Sequence, residues 1–140
     1  MATLYERLGG ANAIAAVVED FVARCAADPR IGPKFERTDI PRLKAMLVDQ
    51  IDEATGGPAR YRGRTMEDTH RGMGVTAGEF DALVQDLVAT LDRFGVGNAE
   101  KEELLEILAP LRAAIVEVDS AETGTPLPSS YEPAAPLYTM

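Results

Sequence analysis

The stretch TAGEFDALVQDLVATLDRFG, residues 76–95, decides the fold. Thr76 followed three residues later by Glu79 forms a capping-box pattern, in which a hydroxyl and a carboxylate each satisfy a backbone amide that a helix start leaves unpaired. Behind it, Phe80, Leu83, Val84, Leu87, Leu91 and Phe94 recur in steps of three and four, which only a helix gathers onto one face. Gly95 then supplies the stop. A helix of this length with one apolar face needs partners, and the rest of the chain supplies them.

Upstream, Ile14, Val17, Val18, Phe21, Val22 and Cys25 form a second stripe within Ala11 to Ala27, ended by Asp28 and Pro29. A third collects Ile40, Leu43, Met46, Leu47, Ile51 and Ala54, with Pro41 suited to the first helical position and Gly56-Gly57 just past the end. Downstream of Asn98, the residues Leu104, Leu108, Leu111, Ile115 and Val118 predict a fourth helix that Pro110 should bend. A short capped turn from Thr3 to Leu8 opens the chain, and nothing alternates convincingly with period two. The fold class expected is all-α.

The composition fits one domain of 140 residues, spanning residues 1–119, with a tail over 120–140. In that tail, prolines at 126, 128, 133 and 136 fall among Ser, Thr and Ala without a helical stripe, so a loosely ordered or draped segment is expected. Tyr131, Leu137 and Tyr138 are its candidates for packing back onto the domain. Hydrophobic residues make up 46% of the chain, yet no apolar run approaches the about 18 residues a membrane span needs. The net charge of −9 disfavours nucleic acid and anionic membrane as partners, since both are bound through clustered Lys and Arg. Cys25 is the lone cysteine, which excludes an internal disulfide and a thiolate cluster within one chain. A soluble, cytoplasmic protein is the expectation.

The chain also has a single histidine. His70 sits in EDTHRGMG, residues 67–74, where Thr65 with Asp68 can cap one helical turn and Gly72 and Gly74 close it. Such a turn suits a ligand aimed inward, and it suits an ordinary solvated loop equally well. The surrounding sequence narrows the chemistry. No nucleophile elbow or phosphate-cradling glycine motif occurs. Zinc would need three or four His, Cys or carboxylate ligands. Haem needs only one protein imidazole, because it brings four nitrogen ligands of its own.

The order of motifs then carries a resemblance. LYERLGG at the start, VVEDF in the first long helix, ADPRIGPKF after it, TGGPARYRGRTMEDTH through the centre and GVTAGEFDALVQDLVATLDRFGV beyond it resemble the truncated haemoglobins, most closely group I, over about residues 3 to 118. The resemblance implies an abridged globin, two helices over two around haem b. It implies His70 as the proximal iron ligand, Phe35 as the aromatic wedged against the haem and Phe21 as a pocket aromatic. Arg42, Tyr61, Arg62 and Arg64 match positions that reach the haem propionates. Met66, Met73, Val75, Phe80, Leu83 and Val84 match the proximal lining, with Phe80 the strongest of them.

The departures from the family pattern are on the distal side. Where relatives usually place a tyrosine that bonds to bound dioxygen, this chain has Val22, and the two positions that often add a polar group are Leu43 and Leu47. The pocket is therefore expected to be unusually apolar. Loss of one such hydrogen bond is worth about 1.5–3 kcal/mol, or a roughly 10- to 100-fold faster release of oxygen. Met46 is either a flexible filler or a sixth iron ligand. Gln50 either donates to a distal ligand or lies at the surface.

These features imply reversible binding of diatomic gases, O2, CO and NO, with a reductase as a possible partner. Oxygen transport, sensing and electron transfer share that starting point. The missing distal tyrosine disfavours efficient nitric-oxide dioxygenase chemistry, and any peroxidase-like activity would be incidental. Two alternatives stand beside this reading: a globin-like interaction module without haem chemistry, and a six-coordinate redox protein using His70 and Met46.

Overall fold

A computed structural model describes residues 2–61 and 65–131. In chain order these form α1 (Leu4–Arg7), α2 (Gly10–Ala27), a 3-10 turn (Gly32–Phe35), α3 (Ile40–Ala54), α4 (Met66–His70), α5 (Ala77–Arg93), α6 (Asn98–Leu108) and α7 (Leu111–Ile115). The architecture is all-α, and among the described residues the only β feature is an isolated bridge between Thr76 and Val118. No helix among them is long and apolar enough to cross a membrane.

The α5 start has the geometry its sequence predicts. Thr76 Oγ1 accepts the Glu79 amide at 3.0 Å, and Glu79 Oε1 accepts the Thr76 amide at 3.0 Å. Of its apolar stripe, Phe80, Leu87 and Leu91 are buried, Leu83 and Val84 half-buried and Phe94 exposed; Leu87 and Leu91 share one cluster with Phe21 and Cys25 of α2, Leu4 of α1 and Leu104 of α6. The adjoining flank of the same α2 stripe, through Ile14, Val18 and Val22, forms a second cluster, on which Leu43, Leu47 and Ile51 of α3 rest. Helix α2 thus lies between α3 and α5 and carries both halves of the core.

A polar seam also joins α2 to α5. Thr90 is fully buried, and its hydroxyl donates to Asp20 Oδ2 at 2.7 Å. Arg24 and Arg93 each reach the same carboxylate at 3.1 Å. Hydrogen bonds to a charged acceptor are the stronger kind, and here they tie two helices far apart in sequence.

The last helical segment departs from the bent helix expected around Pro110. Helix α6 ends at Leu108 and a separate α7 starts at Leu111, with Pro110 at its N-cap. Val118 does not continue the stripe. Val116 turns extended, and the amides of Glu117 and Val118 donate to the Val75 carbonyl at 2.8 and 3.1 Å. The reason lies at the start of α5, whose first amides have no partners within the helix. The Val118 carbonyl accepts from Ala77 at 3.0 Å and the Ser120 carbonyl from Gly78 at 2.9 Å. Backbone pairing there replaces the side-chain contact that periodicity alone would assign.

Candidate cofactor pocket at His70

Helix α4 is a single turn that presents His70. Thr65 accepts the Asp68 amide at 3.1 Å to start it. Gly72 (φ 84°) and Gly74 (φ 69°) end it in the left-handed region that glycine tolerates. Glu117 then clasps the turn from outside: its carboxylate accepts the Gly72 amide at 3.0 Å and the Gly74 amide at 2.8 Å. The direction of the imidazole is therefore set from both sides of the loop.

His70 Nδ1 lies 2.8 Å from the Met66 carbonyl. A carbonyl only accepts, so Nδ1 carries the proton and Nε2 the lone pair, the tautomer suited to a metal ligand. Burial lowers the imidazole's pKa below its ordinary value, outweighing the Met66 carbonyl and the Glu117 carboxylate, which both favour the charged form. The side chain is held neutral.

This imidazole lines a cavity of about 350 Å³. Its walls come from Ile31, Lys34 and Phe35 at the 3-10 turn, from Arg37, Thr38 and Asp39 after it, and from Arg42, Leu43 and Met46 of α3. Thr69 accompanies His70, followed by Met73 and Val75, then Glu79, Phe80 and Leu83 of α5, Ile115 of α7 and Tyr131. The surface is chiefly apolar. Such a space, with Lys34, Arg37 and Arg42 beside Asp39 and Glu79 among its polar lining, is suited to a largely apolar small molecule.

Of the residues singled out in the sequence, Phe35, Arg42, Leu43, Met46, His70, Val75 and Phe80 share this cavity, together with Met73 and Leu83. Others stand elsewhere. Phe21 is buried in the core with Cys25 and Leu87, and Leu47 packs against the cluster containing Val18 and Val22. Val22 is 2% exposed. Gln50 is half-buried on α3 and Tyr61 half-buried before α4. Met66 contributes its carbonyl rather than its side chain. Val84 lines a second cavity of about 460 Å³ between α5 and α6. Arg62 and Arg64 lie outside the described residues.

Among the lining residues that local sequence does not mark for the site are Glu79, Lys34 and Tyr131. Glu79 has a visible signal, but only for its role as a cap. Lys34 is 4% exposed, and nothing local marks a lysine as buried. Tyr131 reaches the cavity from far along the chain, where proline-rich composition conceals its contacts.

The match to a family model described as bacterial-like globin covers residues 3–117. A group 1 truncated hemoglobin of Tetrahymena pyriformis is 36% identical over 110 residues, which span 79% of this chain and 91% of that protein. One from Mycolicibacterium paratuberculosis is 35% identical over 123 residues, 88% of each chain. Among solved structures, the T. pyriformis truncated hemoglobin in its Fe(III) form superposes with a TM-score of 0.79 at 34% identity, covering 82% of this chain and 98% of that one. The 2/2 hemoglobin of a Synechococcus species, solved in the cyanomet state with covalently attached heme, gives 0.73 at 36% identity over 77% and 91%. The helical core, the one-turn α4 bearing His70 and this agreement over most of each chain together show that the chain belongs to the bacterial-like globins, among the group 1 truncated haemoglobins with their two-over-two fold.

Proposed function

We propose that this chain would hold b-type haem through His70 Nε2 and, so loaded, bind O2, CO and NO reversibly. The observation that carries this reading is the state of His70: a neutral imidazole on a cavity wall, with Nδ1 committed to the Met66 carbonyl and its lone pair therefore on Nε2. When bound, haem supplies an iron centre with four nitrogen ligands of its own, so one imidazole suffices and a gas takes the remaining position. The donor set fits. Phe35, Val75, Phe80 and Leu83 offer apolar wall to a flat ring, while Arg37 and Arg42 offer charge to two propionates.

On the gas-binding side, Leu43 and Met46 border the cavity and Val22 is buried against α3 without a hydroxyl to donate. Leu43 and Met46 give a bound gas an apolar setting, and Val22, in the core cluster behind Leu43, brings no hydroxyl toward it. Dioxygen, which develops partial charge on binding, is then held more weakly than carbon monoxide. The missing hydroxyl at position 22 also weighs against efficient nitric-oxide dioxygenase chemistry.

Expression with added haem tests the reading. Wild type should develop a Soret band and His70→Ala should lose it or bind haem far more weakly; a wild type without the band refutes haem binding. A second reading rests on Met46, which borders the same cavity as His70. A ferrous spectrum that is low-spin without added gas, and becomes five-coordinate in Met46→Ala, would establish it; a spectrum unchanged by the substitution rules it out.

A further inference from the structure

The family match ends at residue 117, but the described chain continues to Tyr131 and returns to the cavity. After Ser120 it crosses the start of α5 so closely that Gly78 has no room for a side chain: a Cβ there would lie 2.7 Å from the Ala121 carbonyl carbon and 2.9 Å from the Glu122 oxygen. Thr76 Oγ1 donates to the Glu122 carbonyl. The Gly124 amide donates to the Arg30 carbonyl at 2.6 Å, which brings the segment over the 3-10 turn.

There it meets two buried charges. The side chains of Lys34 and Glu79 are 5% and 1% exposed and lie 3.4 Å apart. Glu79 Oε2 accepts the Thr125 amide at 2.8 Å and the Thr125 hydroxyl at 2.7 Å. Lys34 Nζ donates to the Thr125 carbonyl at 2.7 Å, to its hydroxyl at 2.5 Å and to the Pro126 carbonyl at 3.3 Å. Without this segment, the ammonium and the carboxylate would each keep the other but lose the partners that make their burial tolerable. Both line the cavity.

Beyond the latch, the segment covers the turn that bears His70. A Cβ on Gly74 would be 3.6 Å from Pro128 Cγ, and one on Gly72 would be 3.7 Å from Tyr131 Cδ1. Arg37 donates to the Tyr131 carbonyl, and its guanidinium stands 5.9 Å from the Tyr131 ring centroid. Tyr131 is itself part of the cavity wall.

We propose that residues 120–131 form a strap, latched through Thr125 onto Lys34 and Glu79, that walls the haem pocket on the His70 side and retains the cofactor through Tyr131. The proposal rests on the haem reading above. Tyr131 excludes water from the His70 turn, and Lys34 and Glu79 are positioning residues that act through the strap.

Transfer of haem from the full-length holoprotein to a large excess of an apoglobin acceptor measures retention directly. Thr125→Pro removes the amide and the hydroxyl that hold Glu79, and Tyr131→Ala removes the wall while leaving the latch. Each should release haem about tenfold faster or more, a change of one decade in the dissociation constant, and Tyr131→Phe should restore the slow rate. Amide hydrogen exchange adds a readout independent of haem: in the apoprotein, Gly124 should be protected in wild type and lose that protection in Thr125→Pro. If Thr125→Pro does not fold, the Tyr131→Ala and Tyr131→Phe pair decides. Wild-type release rates in Tyr131→Ala overturn the strap alone. A wild type that takes up no haem overturns the haem reading, and this inference with it.

Discussion

Helices α5 and α3 are of similar length and both carry clean apolar stripes, yet they are used differently. On α5, Phe80, Ala82, Leu87 and Leu91 are buried, while Leu83 and Val84 are half-buried and Phe94 just past the helix is exposed. On α3 the only buried residue is Asp52, while Leu43, Met46, Leu47 and Ile51 are half-buried. A stripe that fills a core closes against other side chains; one that borders a cavity is left partly uncovered. Phe80 and Leu83 near the start of α5 also line that cavity, so the contrast is between the later part of α5, which closes the core through Leu87 and Leu91, and α3, which is shared between core and cavity.

The sharpest way to break this comparison is a pair of truncations in the apoprotein. Leu91→Ala, at 1% exposure, should cost about 2–5 kcal/mol in urea unfolding. Leu43→Ala should cost about 1 kcal/mol or less, because the cavity already denies that side chain part of its contacts. Equal losses would show that α3 is ordinary core.

Val22→Tyr probes the guest side. The new hydroxyl, if it reaches the gas, should slow oxygen dissociation by about 10- to 100-fold in a stopped-flow measurement, corresponding to roughly 1.5–3 kcal/mol. Val22 is 2% exposed, so some loss of stability is expected beside the kinetic gain. An unchanged oxygen off-rate in a folded variant would remove Val22 from the account of the pocket.

The α2–α5 junction makes a pH prediction for the core. Burial, then the hydrogen bond with Asp28 and that residue's charge, push Asp86 up to about 6. Hydrogen bonds from the Arg30 side chain outweigh burial and hold Asp28 at about 2. A raised carboxyl takes up its proton in the folded state first, so acidification from pH 7 through about 6 toward the ordinary value of 3.8 favours the fold at Asp86. Asp28 works in the opposite sense: its stabilisation is present above 3.8 and is lost as the pH falls toward about 2. Asp86→Asn should gain about 1–2 kcal/mol at pH 7 and flatten the profile between about pH 6 and 4. Thermal melts across that range check both parts, and a profile as steep as wild type would rule the assignment out.

The smallest effect expected is at the α5 cap. Thr76→Ala should cost about 1 kcal/mol by chemical denaturation, with loss of the bond to the Glu122 carbonyl included. A cost near zero would mean that the backbone pairing of Val118 and Ser120 already suffices to start the helix.

Much of this was legible because it is local. The α5 capping box, the Pro41 start of α3 and the Thr65 turn before His70 each depend on residues within a few positions of one another. The α6–α7 region departs from its local pattern for the opposite reason: periodicity carries the stripe to Val118, whereas the unpaired amides of α5, some forty residues earlier in the chain, draw the backbone away. The site divides the same way. His70, Phe35 and Phe80 are recognisable from motif order; Lys34 is not, since burial leaves no local mark, and Tyr131 is marked only as a residue able to pack back, not as part of the cavity wall.

By itself, then, the sequence determined that the chain is helical, where most helices begin and end, and that one imidazole sits on a short glycine-ended turn, because propensity, capping and periodicity act over a few residues. Only the tertiary structure decided which part of each apolar stripe would be core and which would border a cavity. It also brought a lysine, a glutamate and a threonine 91 residues from that lysine into one buried cluster. Burial and charge pairing depend on what arrives from elsewhere in the chain, and no window of neighbouring residues contains that information.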